Sequence, residues 1–206
     1  TGGNTYKITG TVTGAADGDS VYIQNRVNRE FVKVAAAVIK DGKFVFEGKQ
    51  DSTVNRYITY TKGDTKLYAD FFQENGNISL TRGERENIRG TAWNDTYNTV
   101  KAKMNEVNDK MEAVYNLMQA PNLNNEERET KKNELSALEN SQTNIIIETI
   151  DENITNPVGI HLLKAYNYYI EYDNLEKILA KVPAKFQNNE DILRLKALVK
   201  TAKATS

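Results

Sequence analysis

The chain has 206 residues, with 27 basic and 28 acidic side chains and 39% hydrophobic residues, enough to bury a core in one or two domains. A net charge of −1 gives no electrostatic case for nucleic acid or an anionic membrane surface as partner. The chain has no cysteine, which removes disulfides, thiol nucleophiles and cysteine metal sites together.

In chain order, YKITGTVT at 6–13 alternates, with Ile8 and Val12 on one strand face. Asp17-Gly18-Asp19 reads as a turn and VYI at 21–23 as a second strand. FVKVAAAVI (31–39), Lys40-Asp41-Gly42 and KFVFE (43–47) predict a hairpin, because Asp-Gly supplies the positive-φ residues of a tight type I′ turn. RYITYT (56–61) continues the pattern. KLYADFF (66–72), the turn 74–77 and ISL (78–80) predict another hairpin. Phe71 and Phe72 are consecutive, so one belongs in the core and the other lies under the helices or in solvent. Seven or so short strands at this spacing argue for an antiparallel sandwich or open barrel.

The period changes across Ile78–Tyr97, which holds Gly83, Gly90, the only tryptophan, Trp93, and Asn94-Asp95 as an expected helix cap. From Tyr97 the apolar residues Val100, Met104, Val107, Met111, Val114 and Met118 step by three and four. This period places Val107 and Met111 in the core of a helical hairpin. Ala120-Pro121 stops the first helix. Asn124 with Glu127 predicts a capping box for a second helix carrying Leu135, Leu138, Ile145, Ile146 and Ile150. Each helix of about 25 residues spans roughly 35–40 Å. Shorter helices follow at Pro157–Tyr169, at Leu175–Lys181 capped by Asp173 with Glu176, and at Asp191–Ala202. The reading is α+β: an antiparallel β-sandwich-like domain over 1–91, then an all-helical domain over 92–206 built on a long helical hairpin. The charge divides evenly, Thr1–Trp93 holding 13 basic and 11 acidic residues and Asn94–Ser206 holding 14 and 17.

No catalytic constellation is legible. His161 is the only histidine and reads as structural beside Leu162 and Leu163. No zinc motif, calcium loop, nucleophile elbow or phosphate loop is present, so no metal and no cofactor are expected. The acidic pairs Glu84/Glu86, Glu126/Glu127/Glu129 and Asp151/Glu152 sit among polar neighbours and read as solvated. Tyr166, Tyr168, Tyr169 and Tyr172 form two adjacent stripes if their segment is helical. At least one of these rings is expected at the surface, beside Trp93, where it would stack on a sugar or grip a peptide. The packing alternative is that all four hold the short helices onto the hairpin. The longest apolar run, Val34–Ile39, is far below the ~20 residues of a spanning helix, so no direct membrane insertion is expected. The first residue is Thr1 rather than Met, and the expectation is a processed or trimmed chain.

The opening YKITGTV, the strand DGDSVYIQN, the turn DGKFVFEG, the run FFQENGNISL, the corner GTAWNDTY and the later NPVGIHLL together resemble a domain of unknown function. In that family a β-domain and a helical segment precede a thioredoxin-like module in lipid-anchored or secreted envelope proteins of Gram-negative bacteria. The resemblance spans essentially the whole chain and implies a periplasmic or outer-envelope location, with a lipid anchor upstream of Thr1. It further implies an accessory role, positioning or selecting protein partners, either a C-terminal redox module or its substrate. With no C-x-x-C, the family's catalytic residues have no positions here, so this chain itself is not expected to be an enzyme. A stand-alone module binding peptide or glycan through an exposed sheet face or the tyrosines is the alternative.

Overall fold

A computed structural model describes residues 4–82 and 85–205. Gly83 of the corner and Glu84 of the first acidic pair lie outside the described residues. The protein is α+β, and it divides into two compact units, Thr1–Asn98 and Thr99–Ser206.

The N-terminal unit holds β1 (Thr5–Thr11), β2 (Ser20–Val27), β3 (Glu30–Val38), β4 (Lys43–Lys49), β5 (Val54–Lys62), β6 (Thr65–Gln73), β7 (Gly76–Arg82) and β8 (Glu86–Arg89). They form two four-stranded sheets, ordered β4-β1-β7-β8 and β3-β2-β5-β6. All pairs are antiparallel except β1 with β7. Period-two alternation sends Ile8, Phe44, Phe46, Ile78 and Leu80 inward from the first sheet and Val21, Ile23, Ile58, Leu67 and Phe71 from the second, into one core. Gly10 leaves room for the Phe44 ring, since a Cβ there would lie 2.4 Å from Phe44 Cζ.

Both expected hairpins are corrected. The Lys40–Lys43 turn forms as its sequence demands, with Asp41 at φ 53° and Gly42 at φ 73° and reciprocal bonds of 3.0 and 2.9 Å between Lys40 and Lys43. Its two strands nevertheless leave for different sheets, β3 to β2 and β4 to β1. The competing partners are close by: Ile39 exchanges bonds with Asp19 and Gly18, and Val12 N–H donates to Gly42 O. Likewise β6 pairs with β5 while β7 crosses to run parallel to β1. The hairpins that do form are β2–β3, turning on Asn28 and Arg29 at positive φ, and β5–β6, turning on Gly63.

The helices are α1 (Ala92–Met118), α2 (Asn125–Glu152), α3 (Pro157–Tyr166), α4 (Tyr172–Ala180) and α5 (Glu190–Ala204). The first turns of α1 belong to the N-terminal unit. Phe72 and Tyr97 show why: Phe71 points into the sandwich, while Phe72 points outward against Tyr97, edge to face at 5.2 Å. In the helical unit Val100, Val107 and Val114 are buried, as the seam predicts, but Met104, Met111 and Met118 are half-buried. The expectation for Met111 is therefore corrected: the valine row is the buried one, and the methionine row lies at the margin. Asn108 and Gln142 join α1 to α2 by a side-chain hydrogen bond. Asn124 caps α2 through the Glu127 N–H at 2.8 Å, and Asn156 caps α3 ahead of Pro157. Asp173 is not a cap: α4 already starts at Tyr172, with Glu171 in the cap position.

Candidate functional site

The corner at Gly90–Tyr97 is built by long-range polar contacts. Glu74, in the β6–β7 connection and buried, accepts the backbone N–H groups of Trp93 and Asn94 at 2.9 and 3.3 Å. A carboxylate from the sheet thus caps α1, where the orphan amides and the helix dipole favour negative charge. This corrects the expectation that Asn94-Asp95 would do so. Asn94 instead pairs with the β6 backbone, accepting from Phe72 N–H and donating to Phe72 O, both at 2.8 Å. Asp95 accepts from Gly90 N–H at 2.9 Å. Trp93 is half-buried in this corner.

The tyrosine segment does not form one helix. α3 ends at Tyr166, a 3₁₀ turn covers Asn167–Tyr169, and Ile170 is extended before α4 begins. The two-stripe arrangement is corrected accordingly. Tyr169 contacts Tyr168 at 4.4 Å and Tyr166 at 6.2 Å between ring centroids. Tyr168 is 70% exposed, Tyr172 48% and Tyr169 37%, while Tyr166 is half-buried. A hydrogen bond with Tyr169, then partial burial, holds the Tyr168 phenol above its ordinary range. The tyrosines lie in the helical unit and Trp93 in the N-terminal one.

The same alternation that fills the sandwich core gives the second sheet a chemically distinct outer face. Cross-strand register sets Lys33, Gln24, Tyr57 and Asp70 in one row and Ala36, Tyr22, Thr59 and Tyr68 in the next. Pairing of β2 with β5 stops at Gln24↔Tyr57, and the β2–β3 ribbon runs on past a bulge at Val34. Phe31 on that ribbon lies over β5 and β6, edge-on to Tyr57 at 5.2 Å and tilted against Tyr68 at 6.1 Å. Arg26 sits 5.4 Å from the Phe31 ring and the Lys33 ammonium 4.0 Å from the Tyr22 ring, both within cation–π range. Burial, then Asp70, pushes the Tyr57 phenol up, with Arg26 opposing. Gln24 donates to Thr59 Oγ1 at 2.6 Å. Phe31 and Tyr68 remain 38% and 51% exposed. These are aromatic rings with cations at their margins, a chemistry that can stack on an apolar or aromatic group. The sequence reading allowed for an exposed sheet face but named none of these residues. Its signal was present in Tyr22 between Val21 and Ile23, Tyr57 before Ile58, and Tyr68 between Leu67 and Ala69: aromatics at the positions where the period calls for polar residues.

In the helical unit a cavity of about 580 Å³ opens between α4 and α5, floored by Leu179 and Val199 and rimmed by Lys196, Lys200 and Lys203. Lys203 pairs with Glu176 at 2.5 Å and Lys196 bonds Gln187, so much of the rim charge is used internally. His161 is half-buried on α3, and Glu126, Glu127, Glu129, Asp151 and Glu152 are exposed. Among the described residues no group of three or more His, Cys, Asp or Glu is placed to hold a metal ion, and no helix is long and apolar enough to cross a membrane.

Fold and faces together define a two-sheet β-unit with an aromatic outer face, followed by a helical unit. Residues 6–97 match the family model described as a domain of unknown function (DUF4369). The matched segment takes in the eight strands and the first turns of α1, which is the N-terminal unit as the chain folds. Comparison with curated proteins and with solved structures finds no match.

Proposed function

We propose that the chain is a non-catalytic accessory module of a cell-envelope thioredoxin-like protein, in the periplasm or outer envelope and lipid-anchored upstream of Thr1. In this role it positions or selects protein partners for a redox domain. The observation that carries the binding role is the outer face of the second sheet, where Phe31, Tyr57 and Tyr68 meet in one cluster flanked by Arg26. The match of residues 6–97 to a domain of unknown function agrees with the β-domain part of the resemblance, and with no cysteine in this chain any thiol chemistry would belong to another domain. The test begins with the gene. An open reading frame continuing past Ser206 into C-x-x-C is the expected result, and a stop codon there overturns the redox association. In the tandem protein, Phe31→Ser with Tyr68→Ser is expected to raise KM for a protein disulfide while leaving turnover of a small disulfide unchanged. Equal loss on both substrates would point to damaged folding instead.

The second reading, a stand-alone peptide- or glycan-binding module, draws on the Tyr168–Tyr169 pair, whose rings lie 4.4 Å apart with Tyr168 open to solvent. A glycan array in which Tyr168→Ala loses binding without losing melting temperature would favour it.

A further inference from the structure

We infer that the free edge of β3 accepts an added strand: an extended, mainly apolar peptide segment with an acidic residue at each end of the paired stretch. This deepens the binding role proposed above and rests on it.

The four sheet edges of the N-terminal unit are not alike. β4 presents Lys43, Val45, Glu47 and Lys49 outward, so an incoming strand meets charge at three of four positions. β8 has four residues, and its Ile88 carbonyl is taken by Asn98 Nδ2 at 2.6 Å. β6 is closed at Phe72 by the Asn94 amide, with Lys66 and Asp70 charging the rest of its outward row. β3 is different. It ends its sheet, so every second N–H and C=O points away from β2. No charge interrupts Val34–Ile39, and Val34 and Val38 are 42% and 65% exposed. The bulge at Val34 twists this edge without capping it, leaving Ala35–Val38 in regular pairing with β2 beyond it.

Charge decides the occupant. Lys33 and Lys40, both exposed, bracket the apolar stretch about 23 Å apart in extended chain. A second copy added antiparallel across this edge would bring Lys33 of one copy beside Lys40 of the other, and like charges across a ladder are unfavourable. A segment with a carboxylate at each end meets both ammonium groups, while its backbone completes the ladder.

The test uses the whole chain and a labelled octapeptide with glutamate at both ends and alternating valine and threonine between, read by fluorescence polarisation. Saturable binding is expected, and none at about 1 mM peptide overturns the inference. Lys33→Glu with Lys40→Glu, checked for unchanged circular dichroism, should weaken the acidic peptide by about tenfold and favour a lysine-ended one. No change on that swap overturns the charge argument. N-methylation of one alternating set of peptide amides should abolish binding while the other set is tolerated, and equal tolerance of both sets refutes strand addition. Sedimentation showing a dimer that Val38→Glu dissolves would make a second copy the occupant and overturn the proposal. If the Phe31/Tyr68 variant raises KM in the tandem protein while no octapeptide binds, the strand inference fails alone.

Discussion

Replacing Asn94 by alanine tests the corner most directly. Asn94 is 2% exposed and makes three side-chain hydrogen bonds, to Phe72 N–H, Phe72 O and Thr91 Oγ1, each at 2.8 Å. Phe72 itself is 1% exposed. Truncation leaves a buried N–H and a buried C=O at the sheet edge, at roughly 1–3 kcal/mol each, with about 1 kcal/mol more for the Thr91 bond. Alanine returns only about 0.5 kcal/mol of helix propensity. The net expectation is a loss of about 2.5–6.5 kcal/mol from the N-terminal unit. Asn94→Asp should lose a similar amount, since it keeps an acceptor for the Phe72 N–H but sets a carboxylate against the Phe72 carbonyl. Urea unfolding followed by Trp93 fluorescence is the assay, because the only tryptophan sits at this corner and reports on this unit. Asn98→Ala is the control, with bonds to Ile88 O and Asn87 at a more open position, and should cost about 1 kcal/mol or less. A loss below about 1 kcal/mol for Asn94→Ala would show that the amide does not hold helix to sheet.

Gly159→Ala should destabilise the helical unit severely in thermal melts, because a Cβ there would lie 1.9 Å from the Asn153 carbonyl oxygen, a backbone atom that cannot swing aside; an unchanged melt would disprove that close approach. Val107→Asp puts an unpaired charge into the buried row of α1 and should cost several kcal/mol, on the order of 3 or more, with a parental melting curve counting against the packing of that row. Hydrogen bonds from Tyr60 and then Lys62 hold the Asp19 carboxyl below its ordinary 3.8. Its contribution to stability is therefore complete above that pH and lost as pH falls through the lowered folded value. Asp19→Asn should flatten the acid limb of a stability–pH curve, and an unaltered limb refutes the coupling. The same bond raises the Tyr60 phenol above 10.0, so its share is complete below pH 10.0 and fades as pH rises beyond.

Strand faces and helix existence were legible because they follow from local period: Ile8, Phe44 and Phe46 had to face one way, and the valines of the seam had to face another. Strand partners were not. Asp41-Gly42 makes the same tight turn whether its strands pair with each other or part, and the choice lay with Asp19, Gly18 and Val12, 20 to 30 residues along the chain from the groups they bond. The α1 cap failed for the same reason. Asn94 and Asp95 have cap chemistry, but Glu74 reaches the helix amides from the β6–β7 connection and frees Asn94 to close the β6 edge. At 166–172 the helical period was extrapolated through Ile170, whose extended backbone carries no proline or glycine to announce it.

The outer face of the second sheet shows how packing and function separate on one strand. Phe72 and Tyr68 point the same way from β6, four residues apart, and period alone treats them alike. Tyr97 covers Phe72, leaving it 1% exposed, and the Tyr97 hydroxyl donates to Asp70 at 2.5 Å. Tyr68, tilted against Phe31 and hydrogen-bonded at its hydroxyl to Thr61, stays half in solvent. Had the chain needed only to shelter aromatic surface, the β2–β3 ribbon could have laid its valines there. Instead it sends Phe31 down with Arg26 beside it and leaves Val27 and Val32 48% and 47% exposed at its own tip. Apolar surface thus gathers at this end of the second sheet, next to the β3 edge, whose Val34–Ile39 stretch carries no charge. That surface adds nothing to the core, and it is where the partner proposed above would dock.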